Sequence, residues 1–475
     1  MTSTATRRTF LSAAAAAAAA GAASMAAPAA ASTLTPRGAR IRVPAGTPHP
    51  QRPGRELRAL LRQVDPDRIK ATINTLVGFG TRHTLSSQTD PDRGIGAARD
   101  WIHGQLQGYA AASDGRMTVQ KQSFVQQPAS GIPVPTVITN VIATLAGDTD
   151  PKRVYVVSGH YDSRVTDLAN SASDAPGADD DGSGVAAVLE LARIMATQHT
   201  EATIMFAAVA GEEEGLYGSA HMAQQLAAAG ADVQAMFTND IIGSDTADDG
   251  TRFPHLVRLF AEGVPTAETP AQAATRQAVG GENDGPSRQL ARFVQDVAQN
   301  DATGMEVRVI WRRDRYLRGG DQISFLQQAY PAARFTEPAE NFAHQHQDVR
   351  VVNGVQFGDL PQFCDFDYCA RVARVNLATL WSLAQGPGTP KGAGIVAVQL
   401  TNTTTLKWQQ GTDADLAGYE VLWRETTSPG WTNVQPVGNV TTATIDLSKD
   451  NVFFGVRAVD ADGHRSPVAF PQPTS

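Results

Sequence analysis

The sequence predicts an α/β protein with a mostly parallel, doubly wound central sheet and helices on both faces, followed by a small all-β sandwich domain. Short apolar runs such as residues 154–157 are typical of strands that are buried on both faces. They alternate with segments such as residues 183–195, whose apolar residues recur at helical spacing. This alternation favours a parallel sheet. After residue 385 the pattern changes to short strands alone.

The elements follow one another regularly from residue 56 onward. Apolar periodicity predicts helices over 57–64, 69–76, 94–106, 183–195 and 216–226, and strands over 139–145, 154–157, 203–209 and 236–242. In such sheets the ligand crevice lies beyond the carboxyl ends of the strands. We therefore expect functional residues just after these strands.

A Gly- and Pro-rich stretch, residues 386–392, is predicted to link a catalytic domain (32–385) to a C-terminal domain (393–475). Short alternating runs separated by turn residues predict a sandwich there. Trp408, Leu416, Tyr419, Trp431 and residues 456–460 make this part resemble a fibronectin type III module. A module of that kind implies tethering to a surface or polymer.

The N-terminus has the features of a targeting segment. Arg7 and Arg8 precede an apolar stretch with an alanine run over 13–20, and small residues follow at 29–31. The pattern resembles a twin-arginine export signal over residues 1–31. We therefore expect a secreted protein, periplasmic or extracellular. The apolar stretch is too short to predict a stable membrane span in the mature chain.

Composition excludes several classes of protein. The formal net charge of −8 gives no basic field that would recruit nucleic acid. Cys364 and Cys369 are the two cysteines of the 475 residues, which excludes a disulfide scaffold and a four-cysteine zinc site. Whether these two form one local disulfide is left open.

Acidic or histidine-bearing segments fall where the crevice is expected. They are His160-Tyr161-Asp162, residues 177–184 with three consecutive aspartates, residues 211–215 with three consecutive glutamates, Asn239-Asp240 and, later, residues 344–348. Taken singly, the aspartates fit a helix N-cap, the glutamates a solvated turn and His160 a polar surface. Together they predict carboxylates that repel one another unless cations neutralise them. Mixed histidine and carboxylate ligands favour zinc or a similar divalent ion.

These segments resemble the co-catalytic di-zinc exopeptidase family of the bacterial leucyl aminopeptidases and glutamate carboxypeptidase type enzymes, over residues 60–385. The resemblance implies two zinc ions. It implies a role for each matching residue: His160 and Asp240 on one ion, Glu213 and His344 on the other, Asp180 bridging both, Glu212 as general base and Asp162 orienting His160.

Some positions depart from the family pattern. Asp179 and Asp181 replace asparagines beside the bridging residue, and Glu214 replaces an apolar residue. His346 competes with His344 as the late ligand. Ala343 stands where some members carry a tyrosine, so the donor to the oxyanion is not assigned.

The predicted function is removal of terminal residues from peptide or protein substrates, by an aminopeptidase using a zinc-activated water. The alternatives are a carboxypeptidase or dipeptidase of the same family, a single-zinc cyclase, and a non-catalytic adhesion protein. A basic stretch, Arg312, Arg313, Arg315 and Arg318, together with Arg334, is either a solvated loop or a lining of the substrate mouth.

Overall fold

The computed structural model describes residues 40–41, 45–398 and 400–475. The predicted export signal over residues 1–31 lies outside the described residues.

The helices of the described chain fall mainly in its first 385 residues. They are α1 (Arg55–Leu61), α2 (Pro66–Gly78), α3 (Ile95–Ala110), α4 (Gly182–Met195), α5 (Tyr217–Ala228), α6 (Pro270–Val279), α7 (Pro286–Ala298), α8 (Gln322–Leu326) and α9 (Phe366–Gln385).

The strands form a large sheet, a hairpin and two smaller sheets. They are β1 (Arg40–Ile41), β2 (Met117–Gln126), β3 (Thr136–Leu145), β4 (Asp150–His160), β5 (Ala202–Val209), β6 (Asp232–Asn239), β7 (Leu256–Ala261), β8 (Glu306–Ile310), β9 (Ala332–Thr336), β10 (Arg350–Val352), β11 (Val355–Phe357), β12 (Gly394–Val396), β13 (Thr404–Lys407), β14 (Leu416–Glu425), β15 (Asn433–Gly438), β16 (Thr442–Ile445), β17 (Val452–Asp460) and β18 (Gln472–Thr474).

The large sheet has eight strands in the order β2-β3-β5-β4-β6-β9-β7-β8. The central pairs β5/β4, β4/β6 and β6/β9 are parallel, and so is β7/β8. The pairs β2/β3, β3/β5 and β7/β9 are antiparallel. The predicted α/β class with a mostly parallel central sheet is therefore confirmed.

Alternate residues of the central strands face opposite sides of this sheet. Tyr155 and Val157 belong to a core cluster with residues of α1, α2, α3, α4, α7 and α9. Val154 and Val156 belong to a second cluster with residues of α5 and α8. Because each face of the strands is covered by helices, the strands are uniformly apolar rather than alternating.

The C-terminal part is a small sandwich of a five-stranded sheet, β1-β16-β13-β12-β18, and a three-stranded sheet, β15-β14-β17. Residues of both sheets, among them Leu406, Trp423 and Ile445, share one apolar core. Its first strand comes from the N-terminal arm: Arg40 and Ile41 of β1 pair with β16. From the sequence, this arm was expected to belong to the catalytic domain over residues 32–385.

The sandwich is bonded directly to the α/β part of the chain. Arg424 and Asp284, both buried, form an ion pair of 2.6 Å. In the predicted linker, the Gly386 carbonyl accepts a hydrogen bond from Arg153, and Thr389 donates its backbone N–H to Gln234. The linker is thus held on its path by specific contacts.

Both cysteines are free thiols, so the disulfide left open by the sequence is not formed among the described residues. Burial raises the pKa of both thiols. Among the described residues, no helix is both long and apolar enough to cross a bilayer.

Candidate metal centre

Four neighbouring strands end at one edge of the large sheet, and the predicted site residues lie at that edge. β5, β4, β6 and β9 are adjacent and parallel, so their carboxyl ends meet there. His160 is the last residue of β4, and Asp240 follows the end of β6. Glu213 lies in the turn after β5, Asp180 just before α4, and His346 in the loop after β9.

Two groups of donor atoms could each hold a metal ion in the described part of the chain. The first, which we name the His160 group, consists of His160, Asp180 and Asp240. His160 Nε2 lies 3.0 Å from Asp180 Oδ1 and 3.9 Å from Asp240 Oδ1. All three residues are buried.

The second, the His346 group, consists of Asp180, Glu213 and His346. His346 Nε2 lies 2.8 Å from Asp180 Oδ2 and 3.1 Å from Glu213 Oε1. Burial opposes the charge on His346, but Glu213 and Asp180 raise its pKa to about 10. The two carboxylates thus form a strongly cation-attracting pocket.

Asp180 belongs to both groups through different oxygens: Oδ1 faces His160 and Oδ2 faces His346. Ligands about 2.0–2.1 Å from a tetrahedral zinc lie roughly 3.3–3.4 Å from one another. The histidine-to-carboxylate distances of 3.0, 3.9, 2.8 and 3.1 Å bracket that value. The residues present therefore fit two ions that share one carboxylate.

Asp162 fixes the orientation of the His160 ring. Its Nδ1 lies 3.2 Å from the Asp162 carbonyl and 3.6 Å from Asp162 Oδ1, so Nδ1–H donates in that direction. This tautomer leaves Nε2 free to bind a metal. Asp162 also accepts the backbone N–H of Glu213 through Oδ2 at 3.1 Å. It thereby connects a residue of each group.

The sequence allowed the three consecutive aspartates to be either a helix N-cap or part of a metal site, and the structure gives one residue to each role. Asp181 caps α4, because its Oδ1 accepts the N–H of Gly184 at 2.9 Å. Its other oxygen accepts the N–H of His160 at 2.9 Å. Asp180 faces both groups of donor atoms instead. The helix cap and the metal site therefore belong to adjacent residues.

Two residues that the sequence analysis did not identify hold the Asp180 loop in place. The Asp359 carboxylate accepts the N–H groups of Asp179 and Asp180 at 2.9 and 2.8 Å. Arg82, which is fully buried, donates to the carbonyls of Tyr161, Pro176 and Gly177. No sequence signal identifies either residue, because their contacts span about 80 to 180 positions.

The structure corrects the prediction that His344 is the late ligand. The ring of His344 stacks on Phe363, with centroids 3.6 Å apart and planes at 11°. His346 takes the predicted place, and its backbone has a left-handed φ of 53°. Gln345, between them, donates from Nε2 to Asp180 Oδ2 at 3.1 Å. Successive side chains of this turn point in different directions. The spacing in the sequence therefore did not reveal which histidine faces the carboxylates.

The three consecutive glutamates occupy three different environments. Glu213 belongs to the His346 group. Burial raises the pKa of Glu212 well above its usual value against the opposing charge of His160, and Asp240 and Glu213 raise it further. Glu214 is buried with an oxygen 3.5 Å from His83 Nδ1, and burial, with Asp162 nearby, raises its pKa to about 8. Of the three glutamates, Glu213 is the one whose oxygen lies among the donor atoms.

Two of the four arginines in the basic stretch are paired with acids, whereas Arg312 and Arg313 are exposed. Arg315 and Arg318 both contact Glu340, and Arg315 also contacts Asp314. Arg334 is fully buried and contacts Asp240 at 2.6 Å, so it does not line an open mouth.

The sequence model of peptidase family M28 matches residues 140–351. A probable zinc metalloprotease of Pyrenophora teres f. teres is 54% identical over 426 residues, which cover 89% of this chain and 88% of that protein. The chain belongs to peptidase family M28. The M28 match begins before His160 and ends after His346, so it includes every residue of the two donor groups.

Solved structures similar to this M28 chain include an aminopeptidase and a glutaminyl cyclase. The LapA aminopeptidase of Legionella pneumophila has a TM-score of 0.47 and 18% identity, over 68% of this chain and 73% of that one. The glutaminyl cyclase of Porphyromonas gingivalis has a TM-score of 0.46 and 17% identity, over 66% of this chain and 97% of that one.

Proposed function

We propose that this M28 chain is a secreted zinc exopeptidase that holds two zinc ions and removes single residues from the amino end of peptides. The observation that carries the proposal is the position of Asp180, whose two oxygens face two separate sets of donor atoms. A carboxylate that bridges two ions is what a shared site of this kind requires.

Zinc is the ion that we propose for both groups. Each group offers one imidazole nitrogen and carboxylate oxygens without thiolate, a donor set that zinc accepts. The name of the relative from Pyrenophora teres, a probable zinc metalloprotease, supports the same choice. Three protein donors in each group leave a coordination position for water or substrate. When bound, the two ions would polarise the scissile carbonyl and lower the pKa of a shared water.

Glu212 is the residue that we propose as general base. It belongs to neither donor group, yet His160, Asp240 and Glu213 all lie close enough to shift the pKa of its carboxyl group. A raised pKa suits a group that must accept and then release a proton. Glu212 would accept a proton from the attacking water on a carboxylate oxygen and deliver it to the leaving amine. Asp162 would hold His160 in the required tautomer throughout.

Preference for an amino end is supported by the charges around the centre. Asp179, Glu337 and Asp359 are buried or half-buried acids beside Asp180 and lie outside both donor groups. The groove beside Asp180 that these acids line contains no lysine or arginine among the described residues, which favours the ammonium group of a peptide's amino end over a carboxylate. A carboxypeptidase needs a cation for the substrate carboxylate. Arg315, Arg318 and Arg334 are paired with acids, which leaves the exposed Arg312 and Arg313 of the predicted mouth for that role. The carboxypeptidase alternative is therefore the less favoured of the two.

Export and an accessory role for the sandwich are also part of the proposal. Secretion is supported by the twin-arginine-like pattern of residues 1–31. The fibronectin-like strands and aromatic residues of 393–475 support a module that extends the enzyme rather than performing the chemistry. Fusing residues 1–31 to a reporter tests the first point, because export should require both Arg7 and Arg8.

The decisive experiment combines metal analysis with a panel of peptides. We expect two zinc ions per chain, loss of activity with chelator, and cleavage of peptides that have a free amino end but not of N-blocked ones. C-amidated peptides should be cleaved as well as free acids. One tightly held zinc without peptidase activity would favour a cyclase instead. Cleavage of N-blocked peptides from their carboxyl end would reverse the proposed specificity.

A further inference from the structure

One of the candidate zinc ligands, Asp240, is held by a buried arginine from the neighbouring strand. Arg334 lies in β9, where it pairs with Thr238 of β6, two residues before Asp240. Its side chain lies on the same face of the sheet as α8 and has no solvent exposure. Arg334 Nη1 lies 2.6 Å from Asp240 Oδ2, and Nη2 donates to the Asp240 carbonyl at 3.2 Å.

The contact divides the two carboxylate oxygens of Asp240 between different partners. Oδ1 faces His160 Nε2 at 3.9 Å, whereas Oδ2 is taken by the guanidinium. A further donation from Arg334 Nη1 to the Gly319 carbonyl, at 3.0 Å, keeps the guanidinium in this position. With Oδ2 engaged, Asp240 presents a single oxygen to an ion in the His160 group.

The His346 group has no comparable cation. In the described part of the chain, Asp180 and Glu213 form ion-pair contacts with histidines alone, and with no arginine or lysine. The positive charge of Arg334, 2.6 Å from an Asp240 oxygen, draws electron density from that carboxylate and repels a metal cation bound to it. The two groups therefore differ in charge, although each has one histidine and two carboxylates.

We propose that Arg334 is a positioning residue that restricts Asp240 to one metal-facing oxygen and makes the His160 group the weaker and more electrophilic of the two zinc sites. The proposal rests on the two-zinc function proposed above. It assigns a task to a buried charge that the sequence analysis had placed in a solvated loop or at the substrate mouth. It also predicts that the two ions are released in a fixed order, with the ion of the His160 group leaving first.

The alternative is that Arg334 only neutralises acids and stabilises the fold. The two explanations predict opposite changes when the charge is removed. If Arg334 is merely structural, its loss disorganises Asp240 and weakens zinc binding. If Arg334 restricts Asp240, its loss frees Oδ2 for the metal and removes a repelling charge, so the His160 group binds zinc more tightly.

The test compares Arg334→Met with wild type, using zinc or Co²⁺ alone as the probe. Proteins are purified with zinc, which is then withdrawn by graded chelator, so affinity is measured from the folded holoenzyme. Arg258→Met is the matched control, because Arg258 is a largely buried arginine of β7 that contacts Glu337 and Glu340 but no zinc ligand. Arg334→Lys tests rescue by charge.

We expect wild type to release its two zinc ions in two steps, and Arg334→Met to bind the weaker ion at least about fivefold more tightly. The Co²⁺ absorption of that site should weaken in the variant, because a second Asp240 oxygen raises the coordination number. Arg258→Met should match wild type, and Arg334→Lys should stay close to it.

An unchanged or weakened affinity in Arg334→Met would overturn the inference. If that variant does not fold even with zinc, Arg334→Gln takes its place. It removes the repelling charge but retains a hydrogen-bond donor, so it should still bind the weaker ion more tightly than wild type, and an unchanged affinity would overturn the inference. A wild-type protein that binds no zinc, or only one ion, would instead refute the two-zinc function itself. The two failures are therefore distinguishable.

Discussion

The sequence predicted His344 as the late zinc ligand, whereas the structure places His346 beside the carboxylates. A matched pair of variants tests which of the two histidines binds the ion. His346→Ala removes the nitrogen that lies 2.8 Å from Asp180 Oδ2 and 3.1 Å from Glu213 Oε1. His344→Ala removes a ring of the same size that stacks on Phe363. Because the two histidines are separated by one residue, each variant is the control for the other.

The expected magnitudes differ by more than an order of magnitude in zinc affinity. Outer partners of metal ligands typically contribute 10–100-fold to affinity, so losing a direct ligand should cost at least about 100-fold, or about 2.7 kcal/mol. His344→Ala loses an aromatic contact worth about 1 kcal/mol of folding free energy and should leave zinc affinity unchanged. In His346→Ala, the carboxylates of Asp180 and Glu213 remain, but only two protein residues hold the second ion.

The assay is zinc content after dialysis against a buffered chelator, followed by steady-state kinetics on a free-amino peptide. We expect His346→Ala to keep about one zinc and to lose most activity, and His344→Ala to keep both ions. A thermal melt of each protein checks that the fold is intact. If His344→Ala lost the ion and His346→Ala retained it, the assignment of the His346 group would be refuted.

Three further predictions follow from the site and from the contact between the two parts of the chain. Glu212→Gln should keep both zinc ions yet reduce kcat by on the order of 10²-fold, because the variant carboxamide cannot accept the proton, as measured by metal analysis and kinetics. Asp284→Ala should lower the free energy of unfolding by about 3 kcal/mol, measured by denaturant titration, because Arg424 would remain buried without its carboxylate. Glu201→Gln should stabilise the protein at pH 8 but not at pH 4. Burial, and then Asp415, raises the pKa of Glu201 to about 7, so wild-type stability falls as pH rises from about 4.5 to 7. The free energy of unfolding at pH 8 should rise by about 1–2 kcal/mol. This is less than the whole pKa shift would give, because the Glu201 side chain is partly exposed. Thermal melts across pH measure it.

Each of these predictions has a result that contradicts it. Near-wild-type turnover in Glu212→Gln would show that another residue is the base. An unchanged unfolding free energy in Asp284→Ala would mean that the sandwich is held by other contacts. A gain in Glu201→Gln that is the same at pH 4 and pH 8 would show that ionisation of this residue does not oppose folding.

The sequence by itself determined the α/β class and most of the early elements. The predicted helix over 183–195 and strand over 203–209 match α4 and β5 within one residue at each end. Uniformly apolar strands and amphipathic helices are local patterns, so periodicity detects them. The predicted strand over 236–242 ended too late: β6 ends at Asn239, and Asp240 follows it with Ile241 in a left-handed conformation.

Other elements were beyond the reach of local patterns. No strands or helices were predicted between 243 and 385, where the structure has β7 to β11 and α6 to α9. β1, β2, β15 and β18 were also missed. Two of these, β1 and β18, are only two and three residues long, and pairing with distant partners decides whether such short segments become strands.

At the site, the sequence determined which residue types are present and that they follow strand ends. His160, Asp180, Glu213 and Asp240 could therefore be named as candidate ligands before any geometry was known. The resemblance to a family supplied their predicted roles. The resemblance pointed to His344, with His346 as a competitor, whereas the structure places His346 beside the carboxylates. The choice depends on a turn in which a non-glycine residue has a positive φ, which local spacing does not reveal.

Only the tertiary structure decided which groups support those ligands. Asp359 and Arg334 act on residues roughly 180 and 94 positions away, through hydrogen bonds that exist only once the sheet has formed. In the sequence, neither the aspartate nor the arginine shows which residue it will contact. Burial makes the difference, since a charged group out of water needs a partner, and the fold determines which partner it meets.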